Sequence, residues 1–223
     1  MNARTFITFA SLAACISFGQ GRFQNLNFES AVIVPIPGDP LNRVQFGPAF
    51  PGWTGYLGAG QAGSALYNNA TLNSSSLSLF DTNSLSLSPL AGSFTPLLQG
   101  SSLTFDVDVS LAQTGLVPAD SQSLRFLGLS FQNTFVVTIN GQLLSLTILQ
   151  DFGSYKEFGA NISNFAGQNA ELRFTQRHGL GLSGNFALDD IVFSPTPIPE
   201  PGTWALLGLG GALLWGAARR RTS

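Results

Sequence analysis

The sequence predicts an all-β fold, an antiparallel two-sheet β-sandwich, between residues 22 and 194. Three observations carry that expectation. Apolar and polar residues alternate with period two along most of the chain, as on strands with one buried face. Turn chemistry punctuates the alternation, above all Asn140-Gly141 between two apolar runs. No stretch of the mature region repeats apolar residues at helical spacing, so many short strands must bury one another across two layers.

Taken in order, Phe23 to Ser30 reads as a first strand. Residues 35–52 hold Pro35, Pro37, Pro40, Pro48 and Pro51, which mark a long loop with a short strand around Val44–Phe46. Gly52-Trp53-Thr54-Gly55-Tyr56 then sets two aromatics between glycines. Within the Ser/Leu/Asn-biased stretch from Leu72 to Leu90, Leu77-Ser78-Leu79 and Leu85-Ser86-Leu87 alternate as paired strands joined around Asp81-Thr82-Asn83. Low-complexity disorder is the other reading of that stretch. From Leu103 to Val109 the odd positions are apolar, with Asp106 and Asp108 on the opposite face. Leu124 to Phe131 is a further strand. Phe135 to Ile139, a type I′ turn at Asn140-Gly141, and Gln142 to Leu149 form a hairpin. Ile162 to Gln168 connects into a strand at Ala170 to Thr175, and Asn185 to Phe193 is the last strand before a proline-rich linker at 195–202.

Both ends carry targeting chemistry. Met1-Asn2-Ala3-Arg4 is a short positive start, and Thr5 to Phe18 is an uncharged apolar run. Small residues then allow cleavage after Gly19 or Gly21, so residues 1–21 read as a secretory signal for signal peptidase. Leu12-Ala13-Ala14-Cys15 also satisfies a lipobox, and ordinary cleavage and lipidation at Cys15 both stand. Cys15 is the only cysteine, so ordinary cleavage leaves a mature domain without disulfides.

At the other end, Pro199-Glu200-Pro201 is followed by fifteen uncharged residues, Trp204 to Ala218, and then by Arg219-Arg220-Arg221. The prolines favour an extended, accessible backbone over 195–201. As a helix the apolar run would span about 22 Å, against a hydrocarbon core of about 30 Å. Four glycines weaken it further, and the arginines stop transfer. Such a span holds a protein at a membrane poorly, which suits a temporary anchor with a cleavable peptide just outside the lipid. A permanent anchor over 203–223 is the other reading.

Residues 198–223 resemble the PEP-CTERM sorting signal of Gram-negative bacteria in motif, spacing, apolar length and basic end. The resemblance implies that Pro199, Glu200 and Pro201 are the sorting motif for an exosortase-type processing enzyme and that Arg219, Arg220 and Arg221 are the stop-transfer cluster. It further implies a transient stay in the inner membrane, then delivery to the cell surface, outer membrane or extracellular matrix.

Residues 23–197 carry five basic against eleven acidic side chains, a balance of −6, with no basic stripe, so nucleic acid is excluded as a partner. Low charge with abundant Ser, Asn, Thr, Gln and Gly is common in secreted proteins that meet neutral polymers, which makes exopolysaccharide the expected surroundings. His178 is the only histidine, so without a mature cysteine neither a zinc site nor a Cys-His dyad can form. Asp106 and Asp108, about 7 Å apart on one strand face, read as a solvated surface. The domain is therefore expected not to be an enzyme. Trp53, Tyr56 and Tyr67 are candidate sugar-stacking aromatics, since flat rings bind the apolar faces of pyranoses; ordinary packing is the competing reading.

A second resemblance joins Leu26-Asn27-Phe28-Glu29, Pro51-Gly52-Trp53, the 135–146 hairpin, Ile162–Gln168 with Glu171-Leu172-Arg173-Phe174, and Leu188-Asp189-Asp190-Ile191. Together they resemble galactose-binding-like jelly rolls, a group that includes many carbohydrate-binding modules. In such domains a structural Ca²⁺ ties the terminal strands together, and the resemblance implies Glu29 with Asp189 or Asp190 as its ligands. Asp189 and Asp190 sit in an otherwise apolar strand, so one of them must point inward and find a partner. The other reading is that backbone amides or an arginine satisfy the inward carboxylate, or that both Asp sit at an exposed strand end. The combined expectation is an exported surface or matrix protein whose sandwich is structural or adhesive. A carbohydrate-binding module with a defined glycan ligand is the alternative, and a secreted glycan-active enzyme a third.

Overall fold

The computed structural model describes residues 21–71, 74–100, 107–131, 135–178 and 184–198. Among them run fourteen strands. The first seven are β1 (Arg43–Gln45), β2 (Thr54–Leu57), β3 (Gly60–Gln61), β4 (Ser64–Tyr67), β5 (Ser76–Asp81), β6 (Phe94–Gly100) and β7 (Val109–Leu116). They are followed by β8 (Ser123–Phe131), β9 (Phe135–Ile139), β10 (Gln142–Leu143), β11 (Thr147–Asp151), β12 (Lys156–Asn161), β13 (Asn169–Gln176) and β14 (Gly184–Ser194). A four-residue helix, α1 (Phe46–Ala49), and a 3-10 turn at Ser163–Phe165 are the helical pieces among the described residues. One sheet has the order β1-β4-β5-β6-β14-β8-β12-β11 and the other β10-β9-β13-β7-β2-β3. All pairings are antiparallel except β4 with β5. The predicted all-β, two-sheet class is what the chain adopts.

A single large core fills the space between the sheets. Phe126 of β8 and Phe174 of β13 meet edge to face across it, with centroids 5.2 Å apart, and Phe126 also stacks on Phe158 at 5.5 Å. Inner positions alternate along each strand, as with Leu172 and Phe174 on β13, both fully buried. Burying such a phenylalanine is worth about 2–3 kcal/mol, and a cysteine-free domain depends on this core.

Several local expectations change in the folded chain. Phe23 to Ser30 is not a strand; Arg22 makes an isolated bridge to Leu116, and the chain then turns. Asn25 and Phe28 take left-handed φ angles of 48° and 58°, a conformation that cannot continue a ladder, and Phe28 drops into the core. Leu85 to Leu87 does not pair with Leu77 to Leu79. β5 pairs instead with β6, and residues 82–93 form a loop. The reason is that β5 is buried on both faces. Phe80, on its outer side, joins Leu97 and Ala187 in a second small cluster, and the loop folds Leu87 and Leu90 over it.

The Leu103–Val109 strand lies partly outside the described residues, at 103–106 and hence Asp106. Val107 and Asp108 precede β7, where Asp108 Oδ1 accepts from His178 N at 3.0 Å and pairs with His178 Nδ1 at 2.7 Å. The Asn140-Gly141 turn forms as expected, with φ of 49° and 75°. Its second arm splits, however: β10 stays beside β9, Leu144 turns into the core, and β11 crosses to the other sheet beside β12.

Candidate functional site

Asp189 on β14 is completely buried, and it is Asp189 rather than Asp190 that points inward. A register shift between Asp189 and Val192, with Asp190 at φ 45°, breaks the period of two at this point. Asp190 turns outward into a shallow depression lined by Arg125, Leu127, Glu157 and Val192. Asp189 Oδ2 accepts from Ala91 N at 3.1 Å and from the Thr95 hydroxyl, and Oδ1 accepts from Asp190 N at 2.8 Å. Thr95, itself buried, accepts from Leu90 N at 2.8 Å. Glu29 holds the same loop from the other side, its Oε1 accepting from Ser93 N at 2.8 Å and Phe94 N at 3.1 Å. Burial pushes the Asp189 carboxyl up to about 6, and the charge of Glu29 adds to the rise, while the Thr95 hydroxyl and the amides of Asp190 and Ala91 oppose it.

The two carboxylates of the calcium expectation thus come together on the 90–95 loop, but they do not fit a calcium cage. Ca²⁺ takes six to eight oxygen ligands. Here amide and hydroxyl hydrogens aim at the carboxylate oxygens, Asp190 faces away, and no group of three or more His, Cys, Asp or Glu gathers among the described residues. Loop amides perform the cross-linking that the resemblance assigned to a metal. Sequence reasoning missed Thr95, the hydroxyl that completes this latch; its place opposite Asp189 comes from the β6–β14 neighbourhood and has no local signal.

The three candidate aromatics separate. Trp53 is 5% exposed, its ring near Phe28 and Phe174 at 5.5 and 6.3 Å, and its indole N–H donates to Asn25 O at 3.0 Å. Both its faces serve the core, so it offers none to a sugar. Tyr67 is half-buried and donates to Asp81 Oδ2 at 2.5 Å, and burial plus that carboxylate raises its hydroxyl to about 12. Against its own burial, hydrogen bonds from Tyr67, Asn68 and Asn83 bring Asp81 down to about 2. That network locks the ends of β4 and β5 together.

Tyr56 alone sits on an open sheet face. Its neighbour Gly55 points inward, where a Cβ would lie 2.5 Å from the Phe46 ring, so Thr54 and Tyr56 point out. Strand pairing then places Ser110 and Thr175 beside Tyr56, and Ala112, Arg173 and Thr138 in the next row. The Arg173 guanidinium stands 4.4 Å over the Tyr56 ring and is held by Glu171 through bonds of 2.9 and 3.1 Å. The result is a face carrying Thr54, Thr114 and Thr138, one aromatic and one clamped cation, while Ser110 and Thr175 are buried and bonded to each other at 2.9 Å. Such a surface can hydrogen-bond to a neutral polymer.

Pro199, Glu200, Pro201, Arg219, Arg220 and Arg221 lie outside the described residues, as do residues 1–20 of the signal segment. Residues 197–221 match the model of the PEP-CTERM protein-sorting motif. This chain is therefore an exported protein, made as a membrane-anchored precursor for processing by an exosortase. Comparison with the curated proteins gives no match. Among solved structures, the chain is similar to an apo form cyclase from Fischerella sp., at 15% identity over 77% of this chain and 93% of that one, with a TM-score of 0.43. It is also similar to the K2 cleaved adhesin domain of Lys-gingipain, at 14% identity over 75% and 95%, with a TM-score of 0.44.

Proposed function

We propose that this protein is a non-catalytic component of the cell surface or extracellular matrix that associates with exopolysaccharide through the outer face of its smaller sheet. The sorting motif at 197–221 carries the reading, because it marks the chain for export. The Tyr56–Arg173 patch supports the association. It combines a ring, a fixed cation and the hydroxyls of Thr54, Thr114 and Thr138 on a face with no catalytic carboxylate pair among the described residues.

Depletion of purified protein on polysaccharides from the native host, comparing wild type with Tyr56→Ala and Arg173→Ala, tests it. Retention lost in both variants while thermal unfolding is unchanged is the expected result. Absence of retention by the wild type on every polymer would overturn the adhesive role. A glycan array showing one discrete ligand would replace it with a carbohydrate-binding module, and release of reducing ends would replace it with an enzyme.

A further inference from the structure

The chain leaves the sandwich along a defined path. After β14, Gln122 N donates to Ser194 O at 2.8 Å and the Ser123 hydroxyl donates to Thr196 O at 2.7 Å. Ile198 then lies on the outer face of the larger sheet, against Gly159 of β12 and Leu149 of β11. A Cβ at Gly159 would fall 2.5 Å from Ile198 Cδ1 and 2.8 Å from Leu149 Cδ1, so the glycine is the notch that seats it. From β8 across β12 to β11, the strap leads to one edge of the sandwich.

That edge is unusual. β10 and β11 are the outermost strands of the two sheets on this side and are joined through residues 144–146. Three of the eight large apolar side chains exposed among the described residues stand here: Leu143, Ile148 and Phe152, at 60%, 52% and 44%. At the hairpin tip Phe152 stacks on Tyr155 with centroids 4.9 Å apart. The charges of segment 142–157 are matched, Asp151 with Lys156 at 2.8 Å and Glu157 with Arg125 at 3.8 Å. In a domain carrying a balance of −6, this is a neutral, apolar margin.

We infer that the β10–β11 edge, with Leu143, Ile148, Phe152 and Tyr155, is a lipid-docking surface that rests on the bilayer while the precursor is anchored. The inference rests on the reading of Trp204–Ala218 as the anchor. Five residues separate Ile198 from Trp204, so the six steps between them reach at most about 20 Å even fully extended. The docked strap therefore brings this edge, rather than the opposite one at β1, within reach of the headgroups. An aromatic pair backed by aliphatic side chains suits the interfacial zone. Tethering raises the local lipid concentration so that a small apolar contact suffices. The edge then sets how the sorting motif stands toward a membrane-embedded processing enzyme.

The test uses the tail-bearing chain reconstituted in phosphatidylethanolamine/phosphatidylglycerol vesicles containing a diazirine phospholipid, with adducts mapped by peptide mass spectrometry. Expected are adducts in peptides covering 142–156 as well as 204–218, and few at Leu41 or Leu85. Ile148→Ser/Phe152→Ser, at exposed positions the fold tolerates, should lower edge labelling about tenfold and leave 204–218 labelled. Labelling of 204–218 with none at 142–156, or equal labelling at Leu41 and Leu85, overturns the inference. So does copy-to-copy cross-linking through 147–151 without lipid adducts, which would assign the edge to a second chain. If 204–218 is itself unlabelled, the anchor reading fails first, and the inference with it.

Discussion

Replacing Thr95 by valine tests the latch that joins the 90–95 loop to β14. Valine keeps the shape and removes one oxygen, and with it two hydrogen bonds. Leu90 N loses its acceptor, and Asp189 Oδ2 loses the hydroxyl that donates to it. A half-buried amide left unpaired costs at most about 1–3 kcal/mol and a hydrogen bond to a carboxylate contributes about 1.5–3, so the expected loss is about 2.5–6 kcal/mol. The effect must depend on pH. Asp189 titrates in the folded state at about 6, above its ordinary value of 3.8, because burial disfavours its charge. The folded protein thus holds an extra proton between those values, and wild-type stability falls as pH rises through that window and is level above it. Without the Thr95 hydroxyl the folded-state value climbs further and the decline extends to higher pH. Urea unfolding near pH 5 and near pH 8 should therefore show the larger loss at the higher pH, by about 1.4 kcal/mol for each unit that Asp189 rises. A loss under about 1 kcal/mol, or one equal at both pH values, would refute the latch.

Two further outcomes follow from the same geometry. Because amides rather than a metal satisfy Glu29 and Asp189, the melting temperature should be unmoved by EDTA and by added Ca²⁺; a rise with Ca²⁺ would restore the cation. Trp53→Ala should destabilise by about 3–5 kcal/mol through the cavity it leaves, measured by urea unfolding, whereas Tyr56→Ala should stay within about 1 kcal/mol.

The strongest local signals survived folding almost unchanged. Asn140-Gly141 forms its tight turn because only two adjacent residues need left-handed backbone there, and both tolerate it. The strands at 123–131, 169–176 and 184–194 follow runs whose alternation is long enough to be unambiguous. Where the reading failed, the deciding contacts were distant in sequence. Leu85 to Leu87 alternates like a strand, yet β6 offers β5 a longer partner, and the leucines gain more by covering Phe80 and Leu97. Trp53 and Tyr56 stand three residues apart between glycines, and composition cannot say which of them looks inward. Packing of Gly55 against Phe46 decides it.

By itself the sequence determined the sorting motif at 197–221 and the all-β class. Each of these is written in local chemistry or in a period of two. Tertiary structure alone chose Asp189 over Asp190, since a bulge at Asp190 resets the parity of β14 and no count along the chain reveals it. It also decided that Thr95 and loop amides hold that carboxylate, and that Ile198 settles on Gly159 beside an apolar edge. Those choices belong to pairs of residues up to about a hundred positions apart, which meet only after both sheets have closed on the core.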